Sequence, residues 1–241
     1  MNLENLNDSI IREVKEMLKN EKSGHDINHA IRVSKIAIKL SKEKEVDQKL
    51  ILLSSLLHDV DDYKLVGMEN SKNQINAKKI MRKLKIEQNM QQKVLNIIKN
   101  MGYKNSLKGI RPSTKEGMIV SDADMLDSMG VNGIIRSITY AISDKGNGII
   151  FNPNIFPNTH ITYEEYNKSG TTHATDSAIN HMFEKELKLP NLMLTKEGYD
   201  ESLIRAKSMI QFLKEFFREE DLPNWNNLLN EYLKENKLKD I

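Results

Sequence analysis

Apolar residues recur along this chain three and four positions apart, the spacing of one face of an α-helix. Ile10, Ile11, Val14 and Leu18 predict a surface helix over residues 1–20, and the "KSG" at 22–24 ends it. A second helix follows over 26–44, with Asp26 as its N-cap and Val33, Ile36, Ala37 and Leu40 as its apolar stripe. His29 lies four residues before Val33, so it continues that stripe and faces inward. Asp47 is placed to cap the next helix, 48–58, whose apolar content is nearly continuous. Such a helix is central to a core, since no side of it suits water. It ends in His58-Asp59, with Asp61, Asp62 and Lys64 close behind.

Beyond that point "GMENSKN" predicts a loop leading to a helix over 71–84, and "IEQNMQQKVLNIIKNM" predicts another. "GYKNSLKGIRPST" is a polar connection punctuated by Gly and Pro. Residues 115–142 are mostly helical with a bend near Gly130. Residues 144–170 have no period and are expected to be an irregular loop or lid. Helices resume over 172–187 and 196–218, and "WNNLLNEYL" forms an amphipathic tail. No internal repeat interrupts this pattern, and one all-α domain is the simplest architecture.

Composition narrows the function. The 241 residues are 39% apolar, enough for a sizeable core, with only 6% aromatics and five prolines. Thirty-six basic and 34 acidic residues leave a formal charge of +2, with no basic face, which does not favour nucleic-acid binding as the main role. The absence of cysteine excludes disulfides, zinc ribbons and thiol nucleophiles. The N-terminus is charged and amphipathic without the apolar core of a signal peptide, and no stretch approaches the about 20 apolar residues of a membrane span. A cytoplasmic protein is expected.

Three places set ionisable residues into apolar helices: His29, the pair His58-Asp59, and Asp124 within "MIVSDADML". Buried carboxylates and imidazoles are costly unless paired or bound to a cation. Taken singly, an inward histidine is usually a hydrogen-bonded core residue, and "DADMLD" can be read as acids at a helix start. One bound metal accounts for all three at once. Two imidazoles and two carboxylates form a mixed nitrogen–oxygen set, suited to one divalent ion such as Mn, Fe, Co, Ni or Zn rather than to calcium. Four protein ligands on an octahedral ion leave two positions for water or a substrate oxygen.

"HDINHAIRV", "LLHDVDDYK" and "VSDADMLDSMG", in that order, resemble the HD superfamily of metal-dependent phosphohydrolases, whose signature runs H…HD…D. The nearest likeness is to small bacterial HD-domain hydrolases that open with HDxxHxxRV, and "AINHMFEKELKL" and "AKSMIQFLKEFF" extend it. The resemblance implies a mostly helical domain over 23–218, flanked by an N-terminal helix (1–22) and a C-terminal helical tail (219–241). It implies metal ligation by His29, His58, Asp59 and Asp124, with Mg among the candidate ions. His25 and Asp26 are then helix-start residues, and Asp122 and Asp127 lie behind the ligands or on the surface. It implies that Asp62, three residues after Asp59, orients or deprotonates the attacking water, with Asp61 the second choice. Lys64 is a candidate for offsetting phosphate charge, and Arg32 for contacting phosphate or buttressing the acids. His173 and His181 are expected in packing or hydrogen bonding. One departure stands out: "NMGYKNS" lacks the histidine of the subgroup's HSFS-like segment.

The implied activity is hydrolysis of a nucleotide or a similar phosphate ester or anhydride. A cyclic- or dinucleotide phosphodiesterase and a non-catalytic metal- and nucleotide-binding sensor are the alternatives. Homodimerisation is left open.

Overall fold

Several helix starts in this chain are set by short polar side chains. Asn2 accepts from the amide of Asn5 to open α1 (Leu3–Met17). Asp47 accepts from Lys49 and Leu50 to open α3 (Gln48–Leu57), as its position predicts. Between them lies α2 (Ile27–Leu40). The computed structural model describes residues 2–19, 27–42, 45–144, 146–160, 162, 164 and 177–238, with the Lys64 side chain not included. The expected N-cap Asp26, the break at 22–24, His25 and His173 lie outside these residues. The fold is all-α, with no strand among the described residues. Among the described residues no helix is long and apolar enough to cross a membrane.

The chain divides into two compact units, Met1–Asp124 and Met125–Ile241. In the first, α3 is the core. Every residue from Leu50 to Leu57 is buried, including Ser54 and Ser55, and α1, α2 and α7 (Gln88–Asn100) pack around it. Val33, Ala37 and Leu40 of α2 are buried as the stripe predicts, while Ile36 is only half-buried. The expected loop at 67–73 is more ordered than its polarity suggests. It is mostly the short helix α5 (Met68–Asn73), which lies between α4 (Tyr63–Val66) and α6 (Ile75–Lys83). Glycine at 67 (φ 79°) and Gln74 in the left-handed region (φ 49°) separate them. α8 (Tyr103–Ser106) is one turn inside the polar connection. α9 (Lys115–Asp127), capped by Thr114 on the amide of Gly117, carries the chain into the second unit.

The second unit begins with the expected bend. Gly130 has φ 68°, a left-handed conformation, and a side chain there would press on Arg205, 3.2 Å away. α10 (Gly130–Ala141), α11 (Ala178–Glu184), a 3₁₀ turn (Glu186–Leu192), α12 (Lys196–Glu219) and α13 (Pro223–Glu235) follow. Residues 146–160 contain no helix, yet 151–158 are fastened. Phe151 and Phe156 pack on Trp225 at 5.0 Å, and the Trp225 indole N–H donates to the Pro153 carbonyl. Asn158 N–H donates to Glu184, and Asn180 donates to the Ile155 carbonyl.

Two buried carboxyl groups make the packing testable. The Asp61 oxygens accept from the amides of Asn76 and Ala77, each at 2.8 Å, so Asp61 caps α6 from fifteen residues upstream. Asn76 returns a bond to the Val60 carbonyl. Asp61→Ala removes both acceptors and should destabilise the fold by about 1–2 kcal/mol, the usual worth of a lost cap. Urea denaturation followed by circular dichroism would measure it. Glu186 is 3% exposed; its Oε1 accepts from the Ser137 hydroxyl at 2.6 Å and its Oε2 has no partner among the described residues. Burial pushes its carboxyl up to about 7 from 4.5, only partly offset by Lys185, Ser137 and Arg136. Between those values the folded chain holds a proton that the unfolded chain has lost. Its contribution is therefore complete below pH 4.5 and lost as pH rises through about 7, a loss on the order of 3 kcal/mol. Glu186→Gln should match wild type at pH 4 and exceed it in stability at pH 8.

Candidate metal centre

α2 and α3 are close-packed neighbours, and each contributes one histidine to the same point. His29 lies on the buried face of α2, 1% exposed. His58 is the C-cap residue of α3, where the Nδ1–H donates to the Ser55 carbonyl at 2.8 Å. That bond uses one of the last carbonyls of the helix, which have no partner within it. It also fixes the ring and turns Nε2 inward, as an outer hydrogen bond does for a metal-binding imidazole. The two Nε2 atoms are 3.1 Å apart. At that distance the two nitrogens either share a proton in a hydrogen bond or face a common cation.

Two carboxylates flank it. Asp59 Oδ2 lies 3.3 Å from both Nε2 atoms, and Asp124 Oδ1 lies 3.4 Å from that of His29 and 3.5 Å from that of His58. Bonds of about 2.1 Å to one ion place neighbouring ligand atoms about 3.0–3.5 Å apart, so these four side chains fit a divalent cation. His29, His58 and Asp59 form the most compact trio, with ligand-type atoms all within 4.8 Å, and Asp124 joins through both imidazoles. The imidazoles are shut in, while the side chains of Asp59 and Asp124 stay 14% and 22% exposed, which leaves a route for water and ligand.

The electrostatics point the same way. Burial opposes a charged His58, yet the Asp59 and Asp124 carboxylates outweigh it and hold the imidazole protonated well above its ordinary range. Burial likewise opposes the Asp124 carboxylate, but hydrogen bonds from His29 and His58 hold its carboxyl far below the usual value. A proton on the imidazoles stands where a cation belongs.

The other acids have separate tasks. Asp122 is fully buried and faces the Arg111 guanidinium, which burial pulls down and Asp122 supports. Asp127 is paired with Arg136 at 2.7 Å. Asp61 is spent on α6. Asp62 is half-buried, with its amide bonded to the Asp59 carbonyl at 3.0 Å and its own carbonyl accepting from Leu65 and Val66 to start α4. Arg32 is half-buried on the same helix as His29. His181, 35% exposed, lies 3.7 Å from Glu186.

Sequence reasoning gave no sign of one contact beside Asp62 in the chain. Lys104 of α8 holds its ammonium 4.9 Å from the centre of the Tyr63 ring, the residue after Asp62, and has no carboxylate partner among the described residues. It sits in the "NMGYKNS" segment. A lone lysine in a polar connection carries no periodic signal.

Comparison with known proteins agrees with this geometry. The HD domain pattern matches residues 26–129, a span that contains all four site residues. A Lactobacillus plantarum crystal structure is 30% identical, covering 92% of this chain and 99% of that one, with a TM-score of 0.74. An HD-superfamily hydrolase from Bacillus thuringiensis is also 30% identical, covering 90% and 98%, with a TM-score of 0.68. Bacillus subtilis YpgQ, an uncharacterised protein, is 27% identical over 212 residues, 87% of this chain and 90% of its own. Its structure has been obtained in complex with ADP, with a TM-score of 0.63, 24% identity, and coverage of 88% and 97%. An all-helical fold with two inward histidines and two acids at one point, matched along nearly its whole length by such relatives, shows that the chain belongs to the HD superfamily.

Proposed function

We propose that this chain is a metal-dependent phosphohydrolase acting on a nucleotide or a similar phosphate ester or anhydride. The observation that carries the reading is the cluster of two nitrogens and two oxygens spaced 3.1–3.5 Å apart, with the two carboxylates partly exposed. His29, His58, Asp59 and Asp124 hold one divalent ion. When bound, that ion polarises a phosphoryl oxygen and lowers the pKa of water at the site. Asp62 takes the proton of the water that attacks phosphorus, because Asp61, the other acid of the pair, already serves two amides of α6. Lys104, Lys64 and Arg32 supply positive charge for the phosphate oxygens. The ADP complex of YpgQ supports a nucleotide as the ligand class.

Phosphate release from a panel of nucleotides and phosphate esters, with Mn, Mg, Co or Ni added to chelator-stripped protein, tests the reading. No turnover with any combination, together with nucleotide binding, would replace it with the sensor reading.

Variants separate the roles. Asp124→Ala removes a ligand, so metal content by elemental analysis and turnover should both collapse. Asp62→Asn should keep metal content near wild type and lower kcat by about 10²–10⁴-fold, the range for a positioned general base. Full turnover in Asp62→Asn would show that the metal alone activates the water.

Lys104→Ala should raise KM by roughly 5- to 20-fold with kcat within twofold, the pattern of a group that binds ground and transition states equally. Lys104→Arg should restore much of the loss, and steady-state kinetics read both.

A further inference from the structure

α10 buries Gly130, Gly133, Ile134 and Ala141, the face by which it packs on α11 and α12. Its opposite face is apolar too. Val131 and Ile135 are 62% and 57% exposed, and Ile142, the C-cap residue, is 61% exposed. These positions are four and seven apart, so they form one stripe along the helix. A helix that is apolar on both faces is normally covered on both.

The stripe continues at its C-terminal end. The Gly148 amide donates to the Ala141 carbonyl at 2.8 Å, which brings Ile149 and Ile150, 39% and 41% exposed, to that end of α10. Five aliphatic side chains at these exposures come to on the order of 400 Å², a large patch for a monomer. An interface of standard size takes about 800 Å² from each partner, somewhat more than half of it apolar. The patch therefore supplies the apolar share of one such interface.

We propose that this face is the two-fold interface of a homodimer, with α10 of one protomer packed antiparallel on α10 of its mate. Charge decides for a second copy over a different protein. A two-fold axis sets each patch against itself, so a charge near the axis would meet its own sign. α10 has a single charged side chain, Arg136, and that guanidinium is turned back to Asp127 at 2.7 Å. The polar residues that remain exposed on α10, Asn132 and Thr139, are neutral. Interfaces that select a different partner usually do so with complementary charge, which the exposed side of α10 lacks. In the antiparallel arrangement Val131 faces the far end of the mate's helix near Ile142, and Ile135 comes close to the axis.

Analytical ultracentrifugation of the full chain over about 1–100 µM tests the proposal. Wild type should sediment as a dimer. Ile135→Asp places like charges near the axis and should weaken self-association at least about 100-fold, whereas Ile135→Leu should leave it intact. Circular dichroism of both variants confirms that the fold is kept. Because the chain has no cysteine, Ile135→Cys gives a second reading independent of any loss of folding. Mild oxidation should link it into a covalent dimer, while Ile75→Cys, an exposed position in the other unit, should stay unlinked. A wild type that is monomeric throughout, a dimer indifferent to Ile135→Asp, or equal cross-linking at both positions would each overturn the proposal.

Discussion

Two imidazole nitrogens held 3.1 Å apart inside the first unit set the terms for everything around them. Nitrogens that close share either a proton or a cation, and positive charge in an apolar interior needs anions beside it. Asp59 and Asp124 supply them at 3.3–3.5 Å. The four groups balance one another's charge and fit a cation, and the framework keeps them together.

That framework explains features that otherwise look like faults. A helix as apolar as α3 could pack in many ways. Enclosure by α1, α2 and α7 leaves it one, and fixes where its C-terminal carbonyls fall. One of them, from Ser55, orients His58. The turn beyond is anchored by Asp61 and Asn76 to the start of α6 rather than left to solvent. Asp59 and Asp62 are therefore carried on a braced turn. The cost is a buried carboxyl at 61, whose pKa burial raises even against two amide bonds.

The second unit spends its polar groups on structure. Asp127 and Arg136 tie the end of α9 to α10, and Glu186 joins the 3₁₀ turn to α10 through Ser137. An aromatic cluster around Trp225 and Phe217 fastens the irregular stretch at 151–158. Within this unit the exposed stripe of α10 stands apart, because no such internal tie accounts for it.

The sequence by itself determined the elements and the inventory of the site. Helical periodicity, the Asp47 cap and the break at Gly130 are local, so their physics is complete in a few neighbouring residues. Ionisable groups in apolar runs singled out His29, His58, Asp59 and Asp124, because burial of such groups is expensive wherever it occurs. Between Asp61 and Asp62 the residues themselves gave no distinction, and only the resemblance favoured Asp62. The amides that claim Asp61 belong to residues 76 and 77, and only folding brings them near. Lys104 was hidden for the same reason, its aromatic partner lying forty-one residues earlier in the chain. The two short helices after the site depend on positive φ at Gly67 and Gln74, which polarity does not reveal. Which face of α10 is buried was likewise beyond the pattern. Both faces are apolar, and only contact with α11 and α12 decided between them.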